Sequence, residues 1–326
     1  MSVHYFKCFV YRKHKCTDFF LCLYTEIIPD LNNAYMKDNR IIDVMGIINI
    51  TDNSYYAASR CLDSTGDPNI DIILKRACGM VEEGATILDI GACSTRQGSE
   101  AVGEEEEWRR LGPALKAIRK ELPDTKISID TYWPSIVRKV YETIGQFIVN
   151  DVTAGTGMPA GTDPTQFREG EVNAGVPGEM LRTVGELGLP FVAMHMRGNP
   201  FTMQSLTEYN DVTEDLLGYF RKFSVLAEAA GISDWILDPG FGFAKTIDQN
   251  YQLMRDLSKF KSLGKRILVG ISRKSMIFRK FGITPEEALP ATQVLHYKSL
   301  CEGADILRVH DVAEAVRTVE LYRTLE

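Results

Sequence analysis

The 326-residue chain is 44% hydrophobic and 25% charged, ordinary for a globular protein with a substantial core, and leaves room for one large α/β domain or two smaller ones. Its net charge of -7 argues against a nucleic-acid surface, since phosphate binding needs clustered Lys and Arg, and favours a small-molecule partner. Seven Cys without a C-x-x-C pair and five His without zinc-ligand spacing argue against a disulfide framework and a structural zinc site, and point to a reducing, cytoplasmic compartment.

The first 35 residues hold three of the seven Cys and show no clear period of 2 or 3.6. Their longest apolar run, 19–24, is too short to span a membrane, and Asp18 beside it makes a poor signal peptide. Residues 1–38 are expected to be an N-terminal extension, adventitious or poorly ordered, upstream of a natural start near Met36; a loosely packed peripheral strand or helix is the alternative. Residues 39–326 are the expected domain.

From residue 41 onward, short Val- and Ile-rich runs alternate with stretches of helical period. The predicted strands are 42–50, 86–90, 126–130, 147–151, 191–196, 235–238, 266–271 and 306–309. The predicted helices are 69–83, 104–122, 135–143, 179–187, 213–230, 248–257, 285–302 and 312–325. Gly84, Gly231 and Gly303 are stop signals, and Pro285 opens the seventh helix. The acidic run 104–107 reads as a helix start whose carboxylates favour the positive dipole end. Eight βα units predict a parallel sheet with crossover helices, hence a single-domain (β/α)8 TIM barrel. A doubly wound sheet would carry a G-x-G-x-x-G turn, which the chain lacks.

Long connections follow strands 1, 2, 4 and 5, and the one at 153–177, with five Gly and three Pro, is expected to be mobile. Active sites of such barrels lie at the C-terminal strand ends. Those ends carry Asn49, Asp89, Asp130, Asn150 with Asp151, His195 with Arg197, Asp238, Ser272 to Ser275, and Arg308 with His310. Asp130, Asn150 and Asp238 offer acceptors suited to a flat heterocycle rich in N–H groups, while Arg96, Lys274, Arg308 and His310 suit a phosphate or pyrophosphate. The mouth therefore reads as bipartite, heterocycle deep and anion near the rim. Asp89 reads as a buried structural carboxylate, Cys93 as small filler, and His296 as a surface or interface residue.

The segments VMGIINIT, ILDIGACSTR, ISIDT, NDVTAGT, MHMRGNP, WILDPGFGFAKT, VGISRKS and GADILRVHD, in that order and spacing, closely resemble dihydropteroate synthase of folate biosynthesis over residues 41–323. The resemblance implies joining of 6-hydroxymethyl-7,8-dihydropterin pyrophosphate to p-aminobenzoate with release of pyrophosphate, Mg2+ as cofactor, and a homodimer, with the seventh and eighth helices the guess for its interface. It implies that Asp130, Asn150, Asp238 and Lys274 hold the pterin, with Met194 and Arg308 against its faces. Asn49 would meet Mg2+ and pyrophosphate, with Ser94, Thr95, Arg96, Arg308 and His310 also on the anion. Phe243, Lys274 and Ser275 would line the p-aminobenzoate site, aided by Arg273 and a following helix start. Asn49, Arg96, Lys274, Arg308 and His310 form the implied catalytic set, and no Ser-His-Asp or Cys-His machinery is expected.

The chain departs from the family pattern N-[VI]-T-P-D-S-F at Asp52, Asn53 and Tyr55, carries Ala57 where many members have Asp, and has Gln97 where S-T-R-P ends in Pro. These positions belong to the loops that close over p-aminobenzoate in the family. The expectation is an active synthase with a reshaped amine site at Tyr55 and Gln97 and weaker sulfonamide binding. The alternatives are a degenerate pterin-binding paralogue and a pterin-dependent methyltransferase domain.

Overall fold

The computed structural model describes residues 40–51, 61–63, 65–93, 103–155, 176–198 and 203–326. Within them the apolar runs become eight parallel strands: β1 (Asp43–Asn49), β2 (Ile87–Gly91), β3 (Lys126–Asp130), β4 (Ile148–Asp151), β5 (Phe191–Met194), β6 (Trp235–Asp238), β7 (Leu268–Val269) and β8 (Ile306–Val309). Their order is β6-β5-β4-β3-β2-β1-β8-β7. The two outer strands meet through a parallel bridge between Leu237 and Ile267, where the Leu237 N–H donates to the Arg266 carbonyl at 2.9 Å. The sheet curls into a nearly closed (β/α)8 barrel, as the alternation predicts. Closure pairs edge groups that an open sheet would leave bare.

Helices α1 (Ile70–Glu82), α2 (Glu104–Glu121), α3 (Pro134–Ile144), α4 (Glu179–Leu187), α5 (Val212–Ala229), α6 (Ile247–Arg255), α7 (Ser275–Phe281), α8 (Leu289–Cys301) and α9 (Val312–Leu325) lie between and after the strands. Local chemistry starts several of them: the Asn69 and Asp211 side chains accept from first-turn N–H groups, and Thr246 with Gln249 forms a capping box. Each strand buries both faces, so the core has two parts. Met45, Ile87, Val192, Ile236, Leu268 and Ile306 cluster in the barrel interior. A larger cluster fills the space between strands and helices, where Phe191, Phe223 and Trp235 pack with ring centroids 5.9 and 5.0 Å apart.

Three local expectations change. The extended backbone of 266–271 narrows to Leu268–Val269, because the chain turns at Arg273, φ 54°, with the Lys274 N–H donating to the Ile271 carbonyl at 3.0 Å. A short helix, α7, absent from the sequence reading, follows that turn. Pro285 opens a turn rather than the seventh helix, which begins at Leu289 with a proline in its first turn. Pro290 has no N–H, so an i to i-4 ladder cannot run back through Glu286, and the Arg273 guanidinium takes up the carbonyls of Pro285 and Glu286 at 3.1 and 2.9 Å.

Candidate active site

Strand pleating assembles the mouth. Side chains two apart share a face, so the interior positions Ile87, Ile148, Ile236 and Ile306 are followed at i+2 by Asp89, Asn150, Asp238 and Arg308. Val192 is likewise followed by Met194, and Met45 by Ile47 and then Asn49. The apolar floor thus gives way, one layer higher, to polar and charged groups.

Asp89 is the centre of that layer. Its carboxylate is fully buried and accepts from Ser128 Oγ at 2.6 Å, Asn150 Nδ2 at 3.2 and 3.3 Å, and Arg308 Nε at 2.7 Å. The structural reading of Asp89 therefore holds, although what it ties are residues of the mouth. Arg308 also donates through its other nitrogen to Asp130 at 2.8 Å, so its guanidinium bridges two carboxylates. Burial works against its charge, but Asp89 and Asp130 keep Arg308 protonated far above its ordinary range. Burial pushes Asp130 upward; Arg308 opposes this, and Asp89, Asp151 and Asp238 add repulsion. Arg308, read with the anion-binding group, thus sits among the deep acceptors.

On the other side, Asp238 accepts from the Gly240 N–H at 2.8 Å, and burial raises its pKa while Lys274 opposes. Lys274 Nζ donates to the Phe241 carbonyl at 2.5 Å and stands 4.6 Å from the Phe243 ring centroid. Burial pulls Lys274 down to about 8, against the attraction of Asp238. Ser275 follows as the first residue of α7. Met194 lies with Val152, Met196, Met203 and Ala244 in a small apolar cluster against which Phe243 packs. Asn49 and His310 are exposed at the strand ends, while Asn150 and Asp238 are buried. Of the cations read with the anion, His310 is exposed, Lys274 and Arg308 are half-buried beside the deep acceptors, and Arg96 lies outside the described residues.

Several sequence-selected residues point elsewhere. His195 is buried, its ring edge-on to Tyr219 at 4.8 Å and its Nδ1 3.2 Å from Lys245 Nζ. Arg197 lies over the Tyr209 ring at 3.9 Å and near Asp215. Asp151 accepts from Thr153 and Gly155 and fixes the start of its own loop. Arg273 forms a two-bond pair with Asp311, both bonds 2.8 Å, instead of turning toward Ser275. His296 is buried in α8 rather than exposed. Cys93 lies with its Sγ 3.6 Å from the Tyr132 hydroxyl. Tyr55, Ser94, Thr95, Arg96 and Gln97, with Asp52, Asn53 and Ala57, lie outside the described residues, as does most of the connection 153–177.

Two groups escaped the sequence reading. Lys245 is buried inside the loop after β6, and Glu107, within the acidic start of α2, is fully buried. Neither carries a sequence signal: one is a lysine following an apolar run, the other one of four consecutive glutamates.

A (β/α)8 barrel with buried acceptors and cations side by side at its mouth has the architecture of a small-molecule enzyme. Residues 45–310 match the family described as pterin binding enzyme. The Escherichia coli K12 dihydropteroate synthase is 37% identical over 285 residues, covering 87% of this chain and 90% of its own length. The Synechocystis enzyme of the same name is 38% identical over 272 residues, covering 82% and 85%. Among solved structures, Yersinia pestis dihydropteroate synthase in a sulfonamide drug complex superposes with TM-score 0.74 at 31% identity, covering 88% of this chain and 94% of that one. The Xanthomonas albilineans enzyme with 4-aminobenzoic acid superposes with TM-score 0.72 at 31% identity, covering 88% and 93%. The chain belongs to the dihydropteroate synthase family of pterin-binding enzymes, the transferases of folate biosynthesis.

Proposed function

We propose that the protein condenses 6-hydroxymethyl-7,8-dihydropterin pyrophosphate with p-aminobenzoate to give 7,8-dihydropteroate and pyrophosphate. The observation that carries this reading is the bonded set of buried Asp89 and Asn150 with half-buried Asp130 and Arg308, sharing one barrel mouth with Asp238 and Lys274. Deep carboxylates and an amide meet the N–H groups of the pterin. As the methylene carbon–oxygen bond breaks, its electron pair leaves with pyrophosphate and positive charge grows on the pterin methylene, next to Asp130 and Asp238. The arylamine nitrogen then forms the new carbon–nitrogen bond and loses a proton to solvent. A weak nucleophile of this kind gains more from being held in line than from deprotonation. Phe243, Lys274 and Ser275 supply an aromatic wall, a cation and a helix start for p-aminobenzoate, and Met194 and Arg308 supply faces for the pterin.

The rim provides for the leaving group. Asn49 and His310 are exposed there, and Thr95 and Arg96 belong to the same subsite in this proposal. Mg2+ fits through Asn49: among the described residues no three His, Cys, Asp or Glu side chains gather to hold a metal, but Mg2+ keeps mainly water and substrate oxygens, so one carboxamide oxygen beside a pyrophosphate is adequate. When bound, the ion would neutralise charge on the pyrophosphate. Tyr55 and Gln97 would reshape the amine site and weaken sulfonamide binding; inhibition equal to that of the Escherichia coli relative would refute that part.

The deciding measurement is pyrophosphate release by the full chain, expected only when p-aminobenzoate and the pterin substrate are both present. Release that ignores p-aminobenzoate would refute the function. We further propose a cytoplasmic homodimer through α8 and α9, where Val294, Leu321 and Leu325 are 69, 60 and 68% exposed. A monomer by light scattering would remove the dimer.

A further inference from the structure

The loop joining β6 to α6 is folded around a buried lysine. Lys245, 5% exposed, directs Nζ to the Gly240 and Phe243 carbonyls, both at 2.9 Å, to His195 Nδ1 at 3.2 Å and to the His195 carbonyl at 3.4 Å. Burial pulls its pKa well below the usual lysine range and Asp238 opposes this; His195, also buried, is held well below its own range and therefore neutral. The Gly240 and Phe243 carbonyls take two hydrogens of the nitrogen, and the neutral imidazole completes the cage through Nδ1, whose tautomer decides which partner donates.

The backbone accepts an unfavourable shape to build this cage. Gly240, Gly242 and Ala244 all have positive φ, 67°, 84° and 50°, and the last carries a side chain that disfavours it. Gly240 approaches β5 so closely that a Cβ would stand 2.0 Å from the His195 carbonyl oxygen. Three further loop carbonyls accept from side chains: Phe241 from Lys274, Ala244 from the Tyr209 hydroxyl at 3.0 Å, and Lys245 from Asn250 Nδ2 at 3.3 Å. Two lysines thus hold consecutive parts of one loop, Lys245 from inside and Lys274 from the mouth. Phe243, whose ring faces Lys274 Nζ, sits between these anchor points.

We propose that Lys245 is a positioning residue for the amine-side half of the site: its buried Nζ draws in the Gly240 and Phe243 carbonyls of loop 239–246 and thereby sets Phe243 and Lys274 relative to one another. This rests on the reading that Phe243 and Lys274 receive p-aminobenzoate. The strand-borne groups Asp89, Asp130, Asn150 and Arg308 hold one another, and the loop reaches the pterin side only where Asp238 accepts from the Gly240 N–H and Lys274 donates to Phe241, so loss of the Lys245 contacts moves the p-aminobenzoate site more than the pterin site.

The test uses the full chain with Lys245→Ala and Lys245→Gln. Misplacement by about 1 Å costs up to about a hundredfold, so the KM for p-aminobenzoate is expected to rise about tenfold or more in both variants, with the KM for the pterin substrate within about threefold. Propylammonium, the fragment that Ala lacks, is expected to restore most of the loss in Lys245→Ala and none in Lys245→Gln, whose side chain occupies the space. Either variant with a p-aminobenzoate KM within about twofold of the parent overturns the proposal. So does a loss confined to kcat and indifferent to propylammonium, and so does collapse of the barrel in both variants by circular dichroism, since the loop would then serve the fold. Hydrogen exchange at amides 240–244, faster in Lys245→Ala and slowed by propylammonium, reads the cage without the reaction. A parent without p-aminobenzoate-dependent release counts against the proposed function, while unchanged exchange counts against the cage.

Discussion

Asp89 holds three mouth residues through one buried carboxylate, so a substitution that keeps its size but removes its charge separates the roles. In Asp89→Asn the Arg308 guanidinium keeps only Asp130 as a charged partner, and the single amide oxygen serves either Arg308 or the Ser128 and Asn150 side, setting N–H hydrogens against donors on the other. Breaking a buried pair of this kind costs about 3–5 kcal/mol, so Asp89→Asn is expected to lower the melting temperature and to lower kcat/KM by about a hundredfold. Glu107 behaves oppositely. Among the described residues neither of its oxygens has a partner of hydrogen-bonding geometry, although Thr131 lies close enough to favour its charge, and burial pushes its pKa up to about 8 from 4.5. Between those values the native carboxyl keeps a proton that the unfolded chain has released, so stability falls as pH rises through this window, by up to about 1.4 kcal/mol per unit. Glu107→Gln is expected to flatten that fall and to melt above the parent at pH 8, measured by thermal unfolding across pH. A variant melting below the parent at that pH would refute this.

At the scale of elements, the β7 to α8 connection shows one guanidinium completing a helix entry. Arg273 pairs with Asp311, ahead of α9, and caps the two carbonyls left before Pro290. Arg273→Ala would leave Asp311 without this partner and the Glu286 carbonyl to water, while Pro285 keeps the Ala288 N–H, a loss of about 2–4 kcal/mol that thermal unfolding would register. It would do so without the selective change in p-aminobenzoate affinity expected for Lys245. Sequence reasoning located α4 and α9 to the residue; α4 is strongly amphipathic and ends at Gly188, which adopts the left-handed conformation. It misread the entry to α8 because Pro285 is an ordinary helix opener in isolation; only Pro290 four residues after Glu286, together with an arginine twelve residues before Pro285, makes the turn the better solution.

For the molecule as a whole, Ile41–Leu325 forms one compact unit. The Arg266 guanidinium donates to Asp43, buried at the start of β1, at 2.7 Å and so ties β7 to β1 at the end of the barrel opposite the mouth. Removal of residues 1–38 is therefore expected to leave melting temperature and pyrophosphate release unchanged within error; a large drop in either would show that the extension belongs to the working domain. Among the described residues no helix is long and apolar enough to cross a membrane.

The sequence by itself determined the barrel and the ring of polar residues at its mouth. Both follow from local periodicities: βα alternation counts the units, and the period of 2 along each strand carries Asp89, Asn150, Asp238 and Arg308 to the inner face. Tertiary structure alone decided which of those groups work together. Arg308 meets Asp89 and Asp130 across 219 and 178 residues, Lys245 meets His195 across 50, and Glu107 is buried while its neighbours are not. Such pairings depend on how far each side chain reaches into a shared, water-poor space, and that distance has no trace in the order of residues along the chain.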